Sequence, residues 1–385
     1  MPDESLTPAD PRTILIFGSG VVGGAVLDLL ALRYPHHRYI LAARNLERTT
    51  QRVNLTRYVS VQWGRFPRID AATAELLDID RTAEVIDHYR PDVVFNATTP
   101  FPWWALDAMP RDKRDLSYSA GLGMWCALDC VLPLRLAAAL AVSRSRAVYV
   151  NGCYPDMVNP FLANEDAPPL IGIGNISNLI PGLRLAFGGH LAQGPEQISV
   201  KLICHHSTSL NAPSVGGASG LPYHLQVDHA GGRLIYHGVD DTPFALLKEH
   251  ATRVRGLDGQ GVTVSSAATV LATLLNGQRR RHHVPGPLGR PGGYPILITE
   301  HGQVDIDLPD GLDLADAVAI NEQAQQRDGI AAAKAGLVSL TDVTSDALRT
   351  LTGVTLTEVD VANVLPVARE IVAQLNARYG LRLRL

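Results

Sequence analysis

The hydrophobic pattern first sharpens at Thr13 to Gly24, TILIFGSGVVGG. Five mostly apolar, β-favouring residues run directly into Gly18-Ser19-Gly20-Val21-Val22-Gly23, and an apolar stretch continues to about Tyr34. A short apolar run bounded by glycines predicts a buried strand, and the stretch after it a helix packed against that strand. The alternation then repeats. Arg38 to Ala43 (RYILAA) predicts a second strand ending at Arg44-Asn45, and Leu46 to Tyr58 a helix. VQWGRFPRID looks irregular, Ala74 to Ile79 (AELLDI) predicts a third strand, and Arg81 to Tyr89 a short helix. Pro91 to Thr99 predicts a fourth strand running out through Ala97-Thr98-Thr99. Leu122 to Leu140 predicts a buried helix, and Arg146 to Val150 a strand stopping at Asn151-Gly152. Strands alternating with helices imply a parallel sheet covered on both faces.

From Asn151 the texture changes. Gly172 to Asn178 precedes a helix ending near Leu191, and Gln197 to Cys204 (QISVKLIC) predicts a strand leading into His205-His206. Arg233 to His237 suggests a further strand, and Ser265-Ser266 cap a predicted helix. Gly293 to Leu308 predicts a hairpin turning at His301-Gly302, and Leu314 to Ala335 a long helix. The expected organisation is α/β: a Rossmann domain with a doubly wound parallel sheet over 1–150, and a mixed α/β substrate domain over 151–340. A helical extension over 341–385 completes it.

Composition narrows the classes. Over 385 residues, 46% hydrophobic and 19% charged content describe a chain that can bury a large core. A net charge of −4 and the lack of a long basic run argue against nucleic acid as a partner. No uninterrupted apolar run of membrane-spanning length stands out, and the polar start lacks a signal-peptide core. The four cysteines, Cys126, Cys130, Cys153 and Cys204, show no CxxC pairing, so neither a structural metal nor a disulfide framework is indicated. These features set the expectation of a cytoplasmic, reduced protein with a small-molecule substrate and no membrane partner.

The glycine turn carries the first chemistry. Strand, G-x-G-x-x-G and helix together form the dinucleotide fingerprint. Gly18 permits a tight turn, Gly20 leaves room for a pyrophosphate, and Gly23 lets the helix approach the strand. The helix N-terminus then faces the negative charge. The second strand ends in Arg44 where an acidic residue would bind the ribose hydroxyls of NAD. A guanidinium suits a 2′-phosphate, so the expected cofactor is NADP(H). The bland alternative is an exposed surface arginine. Cofactor-binding candidates are Gly18, Ser19, Gly20, Val21, Val22, Gly23, Arg44, Asn45, Asp78, Ile79, Ala97, Thr98, Thr99 and Asn151.

The order of features resembles the lactate/malate dehydrogenase-like superfamily over about Thr13 to Lys334. Arg111 to Leu116 (RDKRDL) resembles its arginine-bearing mobile loop, with Arg114-Asp-Leu closest to the R-x-D-L pattern. Val150-Asn151 resembles the strand ending in an asparagine on the nicotinamide side. Leu170 to Asn175 is similar to the segment before the substrate helix, and Cys204-His205-His206-Ser207 takes the place of the catalytic histidine motif. The Ser265 helix and the Gly293–Leu308 hairpin match the later elements. The resemblance implies a dehydrogenase with His206 as acid/base, Arg114 and Asn151 near the substrate, and association into homo-oligomers. Two departures stand against it. Asn178 to Arg184 (NLIPGLR) lacks the aspartate that orients the histidine, and Arg184 falls about one turn late for clamping a carboxylate. The short helix Arg81–Tyr89 is more similar to saccharopine- and opine-dehydrogenase-like chains, which reduce imines.

Hydride transfer needs a proton donor or acceptor beside the reacting carbon, and histidine changes charge near neutral pH. His206 is the first choice and His205 the alternative, since adjacent side chains in an extended segment point opposite ways. Both could instead satisfy buried backbone groups. The expected activity is NADP(H)-dependent reduction of a carbonyl or imine larger than a simple 2-hydroxy acid. A nucleotide-binding protein without turnover is the second reading, and a metal-using NAD-dependent glycosidase the third.

Overall fold

The computed structural model describes residues 10–238 and 240–385. Its first strand, β1 (Thr13–Phe17), shows why the opening run is apolar throughout. Ile14 and Ile16 enter the core on one face of the sheet, while Leu15 and Phe17 enter a second core on the other. Successive side chains of a strand point to opposite faces, so a strand covered on both sides needs apolar residues at every position. Helix α1 (Val21–Arg33) follows, then β2 (Arg38–Ala43), where Tyr39 and Leu41 serve one core and Ile40 and Ala42 the other.

Helix α2 (Leu46–Gln62) leads to β3 (Arg68–Thr73), and α3 (Ile79–Tyr89) to β4 (Val93–Asn96). The third strand is therefore RIDAAT, and not the AELLDI segment that follows it. As an edge strand, β3 has a neighbour on one side only, so its polar residues can remain in solvent. Arg38 of β2 pairs with Asp70 of β3 at 2.6 Å across their register. Asp78 and Ile79, expected at a strand end, instead start α3, with the Asp78 carboxylate accepting from Arg81 N at 3.1 Å.

The chain continues through α4 (Arg111–Ala120), α5 (Cys126–Val142), β5 (Val148–Asn151), α6 (Pro155–Phe161) and β6 (Ile171–Gly172). The six parallel strands lie in the order β3-β2-β1-β4-β5-β6, so the chain crosses from one half of the sheet to the other between β1 and β4. This is the doubly wound arrangement whose ligand crevice lies at the carboxyl ends of those two strands. The stretch Leu122–Val142, though interrupted by Asp129 and Arg135, is by length and composition alone apolar enough to cross a membrane. Here 72% of its most apolar window is buried, and it packs against α3 and the sheet.

Helix α7 (Ile180–His190), β7 (Ser199–Ile203), α8 (His206–Val215), β8 (His224–His229), β9 (Gly232–His237) and α9 (Thr242–His250) form a second unit around one antiparallel sheet. Helix α10 (Gly261–Leu275) lies on the Rossmann sheet beside α1. Ser265 and Ser266 stand inside this helix and do not cap it. The Ser266 hydroxyl bonds back to Thr263 O at 2.9 Å, a use open to serine within a helix. Strands β10 (Arg280–Pro285), β11 (Gly293–Ile298) and β12 (Val304–Ile306) include the expected hairpin, with Gly302 at φ +76° in its turn.

Helix α11 (Leu314–Gln325) is shorter than the expected helix to Ala335. Gly329, at φ +82°, stops the helical course, and β13 (Ile330–Lys334) begins at the next residue. The rest comprises β14 (Leu337–Leu340), α12 (Asp342–Thr352), β15 (Glu358–Asp360) and α13 (Val364–Tyr379). This tail is not helical alone, because β15 completes a sheet in the order β13-β14-β15. Its apolar face shares a core with α3, α5 and one face of the Rossmann sheet. That packing carries residues from beyond Gln325 back to the carboxyl edge of the sheet.

Candidate active site at the carboxyl edge of the sheet

The glycine turn has the geometry that its spacing predicts. Gly18 has φ +107°, and a Cβ there would lie 2.7 Å from Ala97 O at the end of β4. A Cβ on Gly23 would lie 2.0 Å from Gly18 O, so α1 presses directly on the turn. A Cβ on Gly20 would meet nothing within 4 Å. Gly20 is also the N-cap of α1 and has no side chain to cap the helix, whose start is exposed at Gly20 and Val21 and part-exposed at Ser19 and Val22. Free amides, the helix dipole and a backbone open to close approach fit a dinucleotide pyrophosphate.

The other cofactor candidates divide. Thr98 follows β4 and bonds through both its N–H and Oγ1 to Asn96 Oδ1, at 3.1 and 2.6 Å, which holds Ala97 and Thr98 against the turn. The Thr99 hydroxyl accepts from Phe101 N at 3.1 Å. Asn45 caps α2, accepting from Arg48 N at 2.9 Å. The exposed Arg44 guanidinium donates to Leu385 O at 2.9 Å, which places the last residues of the chain beside it. Asp78 and Ile79 belong to the start of α3, as above.

Asn151 is fully buried and serves the fold. Its amide donates to Cys153 O and Asn159 Oδ1, while its oxygen accepts from Asn96 Nδ2 and Cys153 N, all at 2.9–3.0 Å. It thereby ties the ends of β4 and β5 together and has no group left over for a substrate. Arg114 likewise is not brought to the histidines; its ion-pair partner is Asp107 at 3.6 Å. Arg184 donates to Pro195 O at 2.9 Å on the surface.

The two histidines separate by role. His205 is the N-cap of α8 and its side chain has no exposure, with Nδ1 accepting from Ser207 N at 3.3 Å. His206 opens the helix and keeps 12% of its side chain exposed. Its N–H donates to Asp156 Oδ1 at 3.1 Å, so a carboxylate from α6 satisfies the start of α8. Asn175 Nδ2 holds the other oxygen of Asp156. His206 Nδ1 lies 2.6 Å from Asp328 Oδ2, which also accepts from Tyr154 Oη at 2.7 Å. Asp328, on the turn after α11, thus sets a carboxylate against His206, a contact that none of residues 178–184 makes.

Burial disfavours the His206 imidazolium, but the Asp328 charge and hydrogen bond, with Asp156 and Asp129 behind them, override it and raise the pKa above the usual 6.5. Burial likewise disfavours the Asp328 carboxylate, yet His206, His205 and Tyr154 together hold its pKa below the usual 3.8. The neighbouring His205 is pushed down by burial and stays neutral. The pair fixes the tautomer. With Nδ1 bound to Asp328, Nε2 is the nitrogen free to give or take a proton.

Three more side chains, unforeseen in the sequence, join this edge. Tyr154, the residue just before α6, sits at φ +35°, a backbone form that a bulky residue adopts only under constraint, and its ring packs edge-on to His206 at 5.0 Å. Cys153 is buried with its thiol 3.5 Å from Asp129 Oδ1, and the Thr99 hydroxyl faces the same thiol. Asp129 projects from the largely apolar α5 and remains partly exposed.

A doubly wound sheet, a glycine turn at its switch point and a later domain bringing in a histidine define a dehydrogenase-type α/β fold. More particularly, the fold is that of the lactate/malate dehydrogenase-like proteins. The chain is similar to lactate dehydrogenase from Eimeria maxima, solved with NADH and oxamate, at 12% identity and a TM-score of 0.54, covering 84% of this chain and 93% of that one. It is similar to malate dehydrogenase from Picrophilus torridus in its apo form at 14% identity and TM-score 0.53, covering 82% and 96%. Malate dehydrogenase from Cryptosporidium parvum gives 12% identity and TM-score 0.50, covering 83% and 98%. No family model and no curated protein matches the chain.

Proposed function

We propose that this protein is an NADP(H)-dependent oxidoreductase acting on a C=O or C=N bond, with His206 as its acid/base. The reading rests above all on the 2.6 Å contact between His206 Nδ1 and Asp328 Oδ2 beside the switch-point crevice. A nicotinamide cofactor, when bound, supplies or accepts the hydride. The pyrophosphate would lie over Gly20 and the start of α1, with Arg44 at the ribose end. His206 Nε2 gives a proton to the reduced heteroatom, or takes one in the reverse direction. Asp328 holds the ring in one tautomer and steadies its positive form, a role suited to a buried carboxylate. The late position of Arg184 and its surface contact favour a substrate other than a simple 2-hydroxy acid. NADPH consumption across a panel of ketones and imines, compared between the parent and His206→Gln, tests the reading. Loss of turnover with retained NADPH binding supports it, and unchanged turnover in the variant refutes the role of His206.

Arg44 sets the cofactor preference in this proposal. A 2′-phosphate would offer the guanidinium several charged oxygens in place of the single Leu385 O and form a stronger, bidentate pair. Arg44→Ala is expected to weaken NADPH binding by about 10- to 100-fold and leave NADH binding unchanged. Fluorescence titration with both nucleotides measures this. Equal effects on the two would assign Arg44 to the fold and not to the phosphate.

The raised pKa of His206 gives a pH signature. Reduction needs the imidazolium, which is fully present below the ordinary value near 6.5 and is lost as pH rises through the higher folded value. The rate of reduction is therefore expected to hold through pH 6.5 and fall on the alkaline side, with oxidation showing the opposite limb. Single-turnover rates across pH, read against His206→Gln, locate that limb.

A further inference from the structure

Asp129 shares the largely apolar α5 with one other charged residue, Arg135, and makes no ion pair with it. Its carboxyl lies against the Cys153 thiol at 3.5 Å, a weak donor, and it forms no ion pair among the described residues. The charged or titratable groups around it are Cys126 and Cys130 on α5, Cys153 and Tyr154 after β5, and His206 on α8. The cation nearest in character, His206, is already engaged by Asp328. Burial pushes the Asp129 carboxyl up to about 7, against the smaller pull of Cys153 and His206. A carboxyl that has lost much of its hydration and has no counter-ion is costly, and its exposed part attracts a cation entering the crevice.

The acidic groups around the crevice point the same way. Asp129, Asp156 and Asp328 gather around one imidazolium, His205 is neutral, and no lysine or arginine pairs with these carboxyls among the described residues. An anionic substrate would enter against this field, whereas a cationic one would be drawn in.

We propose that the substrate carries a protonated amine or an iminium group and that Asp129 is its counter-ion. This deepens the oxidoreductase reading and rests on it for the identity of the site. It places the reaction on the C=N side of that reading, or on a carbonyl whose substrate also bears an ammonium group.

Calorimetry with matched probes, benzylammonium and benzoate, on the full chain with NADP+ tests the proposal. Benzylammonium is expected to bind at least ~10-fold more tightly than benzoate, and Asp129→Asn to remove that preference. Binding near neutral pH is also expected to release a proton, because a cation drives Asp129 to its ionised form. That release appears as a buffer-dependent heat and is lost in Asp129→Asn. Benzoate binding as tightly as benzylammonium overturns the proposal, and so does a cation preference that survives in Asp129→Asn. If the variant fails to fold, the comparison of the two probes and the proton release in the unaltered chain decide. Failure of NADP+ to bind would count against the oxidoreductase reading, and the two probes would still decide the charge that the crevice accepts.

Discussion

Asp328→Asn is expected to lower the rate of reduction by about 10²- to 10³-fold while the protein still folds and binds NADPH. The carboxamide oxygen can still accept from His206 Nδ1 and Tyr154 Oη, so the hydrogen-bond pattern can survive. The charge that steadies the imidazolium is lost. The pKa of His206 then falls, since Asp328 supplies the leading upward pull against burial. The alkaline limb of the reduction profile should therefore move to lower pH in the variant, which a purely structural residue would not cause. Pre-steady-state reduction rates across pH, with thermal unfolding as control, separate the two cases. An unmoved limb together with an unchanged rate would show that the contact only packs the tail against α8.

Asp328 also shows what the sequence leaves illegible. The cofactor half is local: strand, turn and helix lie within Thr13 to Arg33, so glycine spacing alone predicts which glycine is strained, which is crowded and which is open. The inner strands are legible because burial on both faces leaves continuous apolar runs. Edge strand β3 is not, since RIDAAT keeps its charge in solvent and in an ion pair with β2. The histidine motif stands out as an adjacent pair at a strand end. Its partner carboxylate comes from a turn 122 residues later, brought over by a tail whose packing no local pattern records. Asn151 shows the opposite case. Its place at a strand end suggests a ligand contact, yet four internal hydrogen bonds consume its amide.

The same tail makes a remote glycine decisive for the site. Gly121→Ala is expected to destabilise the protein by about 2–4 kcal/mol and to lower turnover as well, although Gly121 touches no proposed substrate group. Gly121 ends α4 at φ +92°, and a Cβ there would lie 2.2 Å from the carbonyl carbon of Asp328 and 2.6 Å from Gly329 N. Both are backbone atoms that no rotamer change can move aside. Across the same junction, the Thr344 hydroxyl donates to Ala120 O at 2.6 Å, and a Cβ on Gly329 would lie 2.0 Å from that hydroxyl oxygen. The end of α4, the Asp328 turn and the start of α12 are thus locked together. A methyl group must push the turn outward, taking the carboxylate from His206 Nδ1. Gly64→Ala provides the control, because Gly64 has φ +66° but open space around it and reports only the conformational cost of the left-handed backbone, about 1–2 kcal/mol. Denaturant unfolding of both variants, with reduction rates, tests the coupling. Equal destabilisation and full turnover in both would mean that the junction gives way without moving Asp328.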